Sequence, residues 1–501
     1  MENPMKRKLY LETFGCQMNV LDSELVLSQL RAQGYESTED RETADVILYN
    51  TCSVREHAEQ KVWSRLGELK PRKAADPSVV IGVIGCMAER DASNIFERFP
   101  HVDILCGPGE LDKLAGMVHN AVVTGGGDIS PRQTALMGSN VRRSSTLEAA
   151  EDNLELLDLS RSFSPEDNLA QAYVRITRGC NKFCTYCVVP YTRGPEVHRP
   201  PANIIEEVKR LAAVGVLEVT LLGQTINHYC FEHGDGRKTT FAELLYQIHE
   251  AVPHLPRLRF VTSFPRDFTN EALQAMRDCE RICRYLHAPA QHGSDRILKL
   301  MNRGYTVGMY DDFVARAREY MPDVSIASDF IVGFPTETEE EFITTKELVR
   351  RSRFKNSFIF KYSPRPGTTA IDRFKDDVPE AIKKRRNNEL LAIQTECSAQ
   401  NNRELVGQTL EVMVEGESKL EMKAKAYPAS NVELGWNKRI QSAAKEVNST
   451  ARTQLVGRTR GDQIVVFDGD SSLKGKLLDV EITDSKNLTL FAKLAESPVT
   501  L

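Results

Sequence analysis

Three short apolar stretches punctuate the first quarter of the chain, and each runs straight into a cysteine: KLYLETFGC ends at Cys16, ADVILYNTC at Cys52 and VVIGVIGC at Cys86. Their length and apolar pattern predict β-strands. Between them, Ser23 to Gln33 and Ala58 to Leu69 repeat apolar residues at helical spacing, which predicts crossover helices. The cysteines recur at intervals of 36 and 34 residues, close to the thirty-odd residues of one strand–helix–strand unit. Such units build a parallel sheet, and ligands of parallel sheets gather beyond the carboxyl ends of the strands. The three cysteines are therefore expected to face one point. Cys106 follows a fourth apolar run, VDILC, but breaks the interval and reads as packing.

A second series of strand-like stretches alternates with helical ones: AYVRIT, EVTLLG, RLRFVTS, RYLHA, VSIASDFIVGF and NSFIFKY. Six such units suit an incomplete (β/α)6 barrel, whose working groups sit at the carboxyl ends of the strands. Gln224, Asn227, Ser263, Gln291, Asp329 and Tyr362 stand at those ends. Taken singly, each is more readily a loop hydrogen-bonder than a catalytic group, and only the shared location raises them. Arg193 and Arg303 are the nearest cations able to pair with a carboxylate ligand, with a surface ion pair as the alternative. From about Glu404 the pattern changes to LEVMVEG, GDQIVVF and KLLDVEIT, separated by Gly-containing turns as in a small β-barrel. The chain thus divides into an α/β domain at 7–124, a polar linker at 125–168, the barrel at 169–400 and a small β-domain at 404–492. An insertion rich in Ala, Lys, Ser and Asn, about 420–453, interrupts the last of these. Loops beyond about 15 residues tend to be functional or disordered, so mobility is expected there.

Composition narrows the chemistry. Apolar residues at 41% and charged residues at 27% describe a chain that folds. No stretch approaches the roughly 20 apolar residues of a membrane span, so a cytoplasmic enzyme is expected. A net charge of −5 gives no global basic field. The run Lys383, Lys384, Arg385 and Arg386 is the best local basic patch, although a solvated helix face explains it equally well.

Eleven cysteines in a reducing compartment point to metal ligation or catalysis rather than disulfides. Three convergent thiolates at 16, 52 and 86 suit an iron–sulfur cluster or zinc, and three inert buried cysteines remain the bland reading. Cys180, Cys184 and Cys187 in RGCNKFCTYCVVP are far tighter. A structural zinc wants four ligands, usually in paired hooks, and no second hook lies nearby. A three-thiolate cluster with one open iron fits better, with Phe183 and Tyr186 shielding it or simply packing.

The three-then-two cysteine spacing after a first barrel strand resembles the radical S-adenosylmethionine superfamily. There the open iron binds the amino and carboxylate groups of S-adenosylmethionine, whose reductive cleavage gives a 5′-deoxyadenosyl radical. More specifically, TFGCQMNVLDSE at 13–24, NTCSVREHAEQK at 50–61, GCNKFCTYCVVPYTRG at 179–194, MNRGYT at 301–306 and DFIVGFPTET at 329–338 resemble the methylthiotransferases. That resemblance implies that Cys16, Cys52 and Cys86 hold an auxiliary 4Fe–4S cluster and Cys180, Cys184 and Cys187 the radical cluster. It implies two S-adenosylmethionine molecules: one methylates a sulfur associated with the auxiliary cluster, and the other supplies the radical that takes hydrogen from C2 of an adenine. The cofactors carry the hard step, so no acid or base side chain is sought. Gln224, Asn227, Ser263, Gln291, Asp329, Arg193 and Arg303 become candidate S-adenosylmethionine contacts.

The segment TCSVREHAEQK resembles the branch acting on N6-isopentenyladenosine at tRNA position 37 more than those acting on threonylcarbamoyladenosine or a ribosomal protein aspartate. VEGESK at 414–419 and LVGRTRG at 455–461 resemble the RNA-binding TRAM domain, which makes Lys419, Arg458 and Arg460 candidate phosphate contacts. The implied partners are the anticodon stem-loop of tRNA and an electron donor such as flavodoxin or ferredoxin, with a monomeric chain and no membrane. Thr225, His198, Phe264, Ala288, Ala290 and His292 depart from the family's pattern, where Asn, Ser, His, Leu, Val and Ser are more usual. The rival of another class is a non-catalytic RNA-binding protein with structural zinc.

Overall fold

The computed structural model describes residues 7–53, 56–124, 132–137, 146–161, 170–418 and 453–495. The insertion expected at 420–453 falls almost wholly outside the described residues, as does Lys419.

The first domain is a six-stranded, all-parallel sheet. Its order is Glu36–Ser37, Lys8–Phe14, Val46–Thr51, Val80–Gly85, Ile104–Cys106, Gln133–Ala135. Every residue of the two central strands is buried, as parallel strands covered on both faces require. Leu48 and Ile84 pack with Leu21 and Leu25 on one face, while Ile47, Ile81 and Val83 pack with Val62 and Leu66 on the other. Three of the six strands are only two or three residues long, too short for their periodicity to stand out in sequence.

The polar stretch read as a linker is more than a tether. Gln133–Ala135 adds the edge strand of the first sheet, and Thr146–Leu159 is a helix whose last turn enters the joint between the first two domains.

The central domain contains six parallel strands in sequential order. Gln171–Arg175, Glu218–Leu222 and Arg257–Phe260 pair with one another, as do Tyr285–His287, Ser325–Val332 and Asn356–Lys361. A parallel bridge between Leu258 and Ile282 joins the two halves. Among the described residues the first and last strands do not pair, which leaves the barrel incomplete as expected. The helix Glu380–Arg403 runs back along the last strand and carries the basic run, three of whose four residues pair with acids. Lys383 pairs with Asp376, Arg385 with Glu339 and Glu389, and Arg386 with Glu337 and Glu339.

The third domain is a closed barrel in the order Thr409–Glu417, Thr453–Thr459, Ile464–Gly469, Thr489–Leu494, Leu477–Lys486. It sits beneath the central barrel, against the amino-terminal ends of its strands. Arg257, the first residue of its strand, donates to Glu411 at 2.7 Å and to the Arg458 carbonyl at 3.1 Å. Lys355 reaches Asp462 at 2.6 Å, and Gln463 donates to Ser325 at 2.9 Å. The catalytic mouth of such a barrel is at the other end.

Candidate cluster centre at the barrel mouth

Parallel register brings the first cysteine triad together. Phe14 stands opposite Thr51, and Thr51 opposite Gly85, so the chain leaves three adjacent strands at one level and enters Cys16, Cys52 and Cys86 within two residues. Gly85 has φ +91°, and a Cβ there would lie 2.6 Å from the Thr51 carbonyl oxygen, so glycine permits the close exit. Cys16 caps the helix Gln17–Ala32 and Cys86 opens the helix Cys86–Arg98. Behind them is a buried polar lattice: Asn19 donates to Asn50 at 3.0 Å, and Asn50 donates to the Asn19 carbonyl at 2.8 Å and to Ser23 at 2.9 Å. A hydrogen bond with Cys52 lowers the Cys16 thiol to about 6, overcoming burial, with help from the Arg193 cation. Cys16 is thus primed as a thiolate ligand.

The second triad lies on a tightly pinned loop. Gly179 has φ +68°, and a Cβ there would lie 1.9 Å from the Pro195 carbonyl oxygen. Asn302 donates to the Phe183 carbonyl at 2.9 Å, and Thr185 donates to the Leu300 carbonyl at 2.9 Å. All three cysteines are half-buried. Burial, with the neighbouring Cys184, pushes the Cys187 thiol up to about 12, so it gives up its proton when a metal takes its place. Arg303 donates to Cys184 Sγ at 3.3 Å, and Thr225 lies 3.5 Å from Cys180 Sγ.

One carboxylate spans the two triads. Asp22, on the helix begun by Cys16, accepts from Arg193 at 2.8 Å and from Arg175 at 2.9 Å. Arg193 follows the second triad by six residues and its charge also acts on Cys86 and Cys16. Arg175 continues to Asp158 at 2.6 Å on the connecting helix. Burial alone would raise the Asp158 carboxyl, but Arg175, Arg178 and Arg199 more than offset it and hold it well below the usual range. The helix opened by Cys86 packs on the short helix Val189–Thr192 that follows Cys187. Glu59 adds a further joint, accepting from Arg90 and from Arg365 at 3.0 Å each.

The strand-end residues divide. Gln224 Oε1 and Ser263 Oγ are buried without a partner among the described residues, the condition expected of groups facing a ligand. Asn227 instead uses both ends of its amide on the Phe264 backbone, at 2.7 and 2.9 Å, and so shapes the loop. Asp329 pairs with His287 at 3.0 Å; burial alone would lower that imidazole, but the carboxylate outweighs it and holds it raised. Gln291 has φ +70° and its backbone bridges to Asp329 and Ile331. Tyr362 packs edge-on against Phe334 at 5.1 Å, in an apolar cluster.

The four arginines all have protein partners. Arg193 is consumed by Asp22 beside the first triad. Arg303 spends its donors on Tyr305, Cys184, Tyr186 and the Pro289 carbonyl while lying 4.5 Å over the Phe264 ring. Arg458 pairs with Glu415 at 2.8 Å and Asp462 at 3.0 Å, and Arg460 donates to the Glu280 carbonyl. The last two belong to the seam between domains because charged strands there face partners that only the tertiary fold supplies. Asp22, Asn19, Asn50 and Thr225 were not singled out as site residues, although TFGCQMNVLDSE contains the first two and Gln224 adjoins the last.

The donor set fits the groups that the motifs imply: two sets of three cysteine thiols, linked through Asp22 and Arg193, with orphaned polar atoms beside one of them. Residues 8–107 match a family model described as "Uncharacterized protein family UPF0004", residues 174–349 the radical SAM superfamily and residues 446–495 the TRAM domain. A tRNA-2-methylthio-N(6)-dimethylallyladenosine synthase of Rhodopirellula baltica is 44% identical over 490 residues, covering 98% of this chain and 96% of that protein. One of the same name from Porphyromonas gingivalis is 40% identical over 500 residues, covering 99% and 97%. Among solved structures, the radical S-adenosylmethionine methyltransferase TsrM from Kitasatospora setae is similar at a TM-score of 0.49 and 16% identity, over 71% of this chain and 73% of that one.

Proposed function

The chain belongs to the tRNA-2-methylthio-N(6)-dimethylallyladenosine synthase family, and from that premise we propose that it adds a methylthio group to C2 of N6-isopentenyladenosine at position 37 of tRNA. Two S-adenosylmethionine molecules and two 4Fe–4S clusters supply the radical that removes an aryl hydrogen and the sulfur that replaces it. The observation that carries the reading is the pair of cysteine triads joined through Asp22.

In this reading Cys16, Cys52 and Cys86 hold the auxiliary cluster, and Cys180, Cys184 and Cys187 the radical cluster. Gln224 and Ser263 offer their unpartnered oxygens to the polar end of S-adenosylmethionine, supported by their burial at strand ends. Asp329 and Gln291 line the same mouth, and Asn227 acts on it through the Phe264 backbone. Arg193 and Arg303 position the cysteines rather than the cosubstrate. The connecting helix is fastened to the central barrel where Arg199 joins Glu155 and Glu207 at 2.8 Å each.

The substrate contact is the anticodon stem-loop of tRNA, which places the work in the cytoplasm. The reaction needs single electrons, so a flavodoxin or ferredoxin is the fitting donor, and a monomer contains both triads. Among the described residues no helix is long and apolar enough to cross a membrane. Replacing Arg458 or Arg460 by alanine is expected to change tRNA affinity by less than about threefold and to leave its salt dependence unaltered. A phosphate contact would instead lower the salt slope by about one, and binding isotherms across a salt series distinguish the two.

Mass analysis of tRNA nucleosides from a strain lacking the gene tests the activity. Loss of 2-methylthio-isopentenyladenosine, restored by the gene, is expected. Its persistence, with loss of a methylthiolated threonylcarbamoyladenosine or ribosomal aspartate instead, would overturn the substrate assignment.

A further inference from the structure

Among the described residues one group of metal-type donors draws its ligand atoms close together. Glu196, His198 and His228 each present a ligand atom within 4.8 Å of the other two. They flank the second triad without belonging to it. His198 lies on the two-residue strand Val197–His198 that pairs with Thr177–Arg178, just before Cys180. Glu196 is anchored through its N–H to Asn181 at 3.1 Å. His228 ends the turn Ile226–His228 that follows Thr225.

The Glu196 carboxylate is the telling group. Its side chain is 1% exposed. One oxygen lies 2.7 Å from His228 Nδ1, while the other, Oε1, is buried with no partner among the described residues. A plain Glu–His pair therefore accounts for half of the carboxylate and leaves the remainder desolvated, a costly arrangement for an acceptor with spare lone pairs. A cation between the three side chains would satisfy it.

We propose that Glu196, His198 and His228 form a binding site for one divalent transition-metal ion of the zinc class, separate from both cysteine triads. Two imidazoles and a carboxylate are the donors of an open tetrahedral zinc site, with a fourth position left for water or a ligand. Nitrogen donors disfavour magnesium and calcium, which take oxygen. Zinc bonds of about 2.1 Å put neighbouring donors about 3.4 Å apart. Glu196 and His228 must therefore open slightly, and His228, with 45% of its side chain exposed, has room to do so. The ion takes the place of the proton they share, which moves to the other nitrogen of the His228 ring or to solvent.

His198 Nδ1 now accepts the Cys230 N–H at 2.8 Å. Binding through that nitrogen releases the N–H to water, at little cost because Cys230 is exposed. Tyr229 holds the wall of the site, with its ring 5.6 Å from that of His198 and its hydroxyl donating to the Arg199 carbonyl at 2.8 Å. His198→Ser removes the imidazole from a half-buried position and keeps a small polar side chain there.

The test uses the cluster-loaded enzyme, kept anaerobic, without tRNA, and equilibrated with zinc ion. Zinc and iron are counted in the same sample. The expected result is one zinc per chain beyond unchanged iron, bound at least about tenfold more tightly than by His198→Ser or Glu196→Gln, and unaffected by Cys230→Ser. Cobalt in place of zinc should give a weaker-field, nitrogen- and oxygen-type visible spectrum that His198→Ser loses. No zinc uptake, equal uptake by the His198 and Glu196 variants, or loss of uptake in Cys230→Ser overturns the site. Because no turnover is measured, the result is independent of the methylthiotransferase reading.

Discussion

Replacing Cys180, Cys184 and Cys187 together by alanine is expected to lower methylthiolation by at least about 10^3-fold, equivalent to about 4 kcal/mol of barrier, while the chain keeps about half of its iron. The reason lies in how separately the two triads are built. Cys16, Cys52 and Cys86 are fixed by strand register inside the first sheet and by the Asn19–Asn50 lattice. None of those contacts involves the loop around Cys180. The loop in turn is pinned by Asn302 and Thr185 to residues of the central barrel. Each triad can therefore be emptied while the other holds its cluster. Iron and sulfide analysis after anaerobic reconstitution, beside a tRNA modification assay, checks both halves of the expectation. Modification by the triple variant would sink the radical mechanism, and loss of all iron would show that the triads assemble as one.

The second large effect is expected at Asp22. Its side chain is 1% exposed and sits between two guanidinium groups that are themselves 3% and 7% exposed. Removing one member of a buried ionic group leaves charge without compensation, at a cost of about 3–5 kcal/mol. Arg175 keeps Asp158, so most of the loss falls on Arg193. That cation would then bear on Cys16 and Cys86 without its counter-charge. Asp22→Ala should therefore lower the urea midpoint of the iron-free chain's first unfolding transition. It should also raise the amount of 5′-deoxyadenosine released per methylthiolated adenosine, because the two halves of the site no longer hold their spacing. Asp22→Asn retains the shape but turns an amide N–H toward one arginine, and should fall close to the alanine variant. If both variants keep the wild-type ratio, Asp22 supports the fold alone.

What the sequence made legible was local. A strand followed at once by cysteine, repeated at the length of one crossover unit, is a short-range signal, and the register of the sheet sets the three strand ends level. Six barrel strands were visible for the same reason, as was the small β-domain. The arginines were not legible, because a guanidinium has no address in sequence. Arg193 meets an acid 171 positions away, and Arg257 meets one 154 positions away. Only the fold decides that Arg458 turns toward Glu415 and Asp462. The helix Thr146–Leu159 escaped notice because its neighbourhood is polar and acidic, although Asp158 and Glu155 on it are the counter-charges that the barrel's arginines require.

The small β-domain has a practical corollary. Its first two strands are antiparallel neighbours, with Glu417 opposite Leu455, so the chain departs and returns at one spot on the rim while the barrel closes through its own ladder. Closing a loop of about 34 residues rather than about 4 costs only about 2 kcal/mol by chain-length scaling. The intervening stretch can thus be exchanged for a tight turn, or for a fluorescent or affinity module, and the five strands should still find one another. It is a splice point that lies at the opposite end of the central barrel from both cysteine triads.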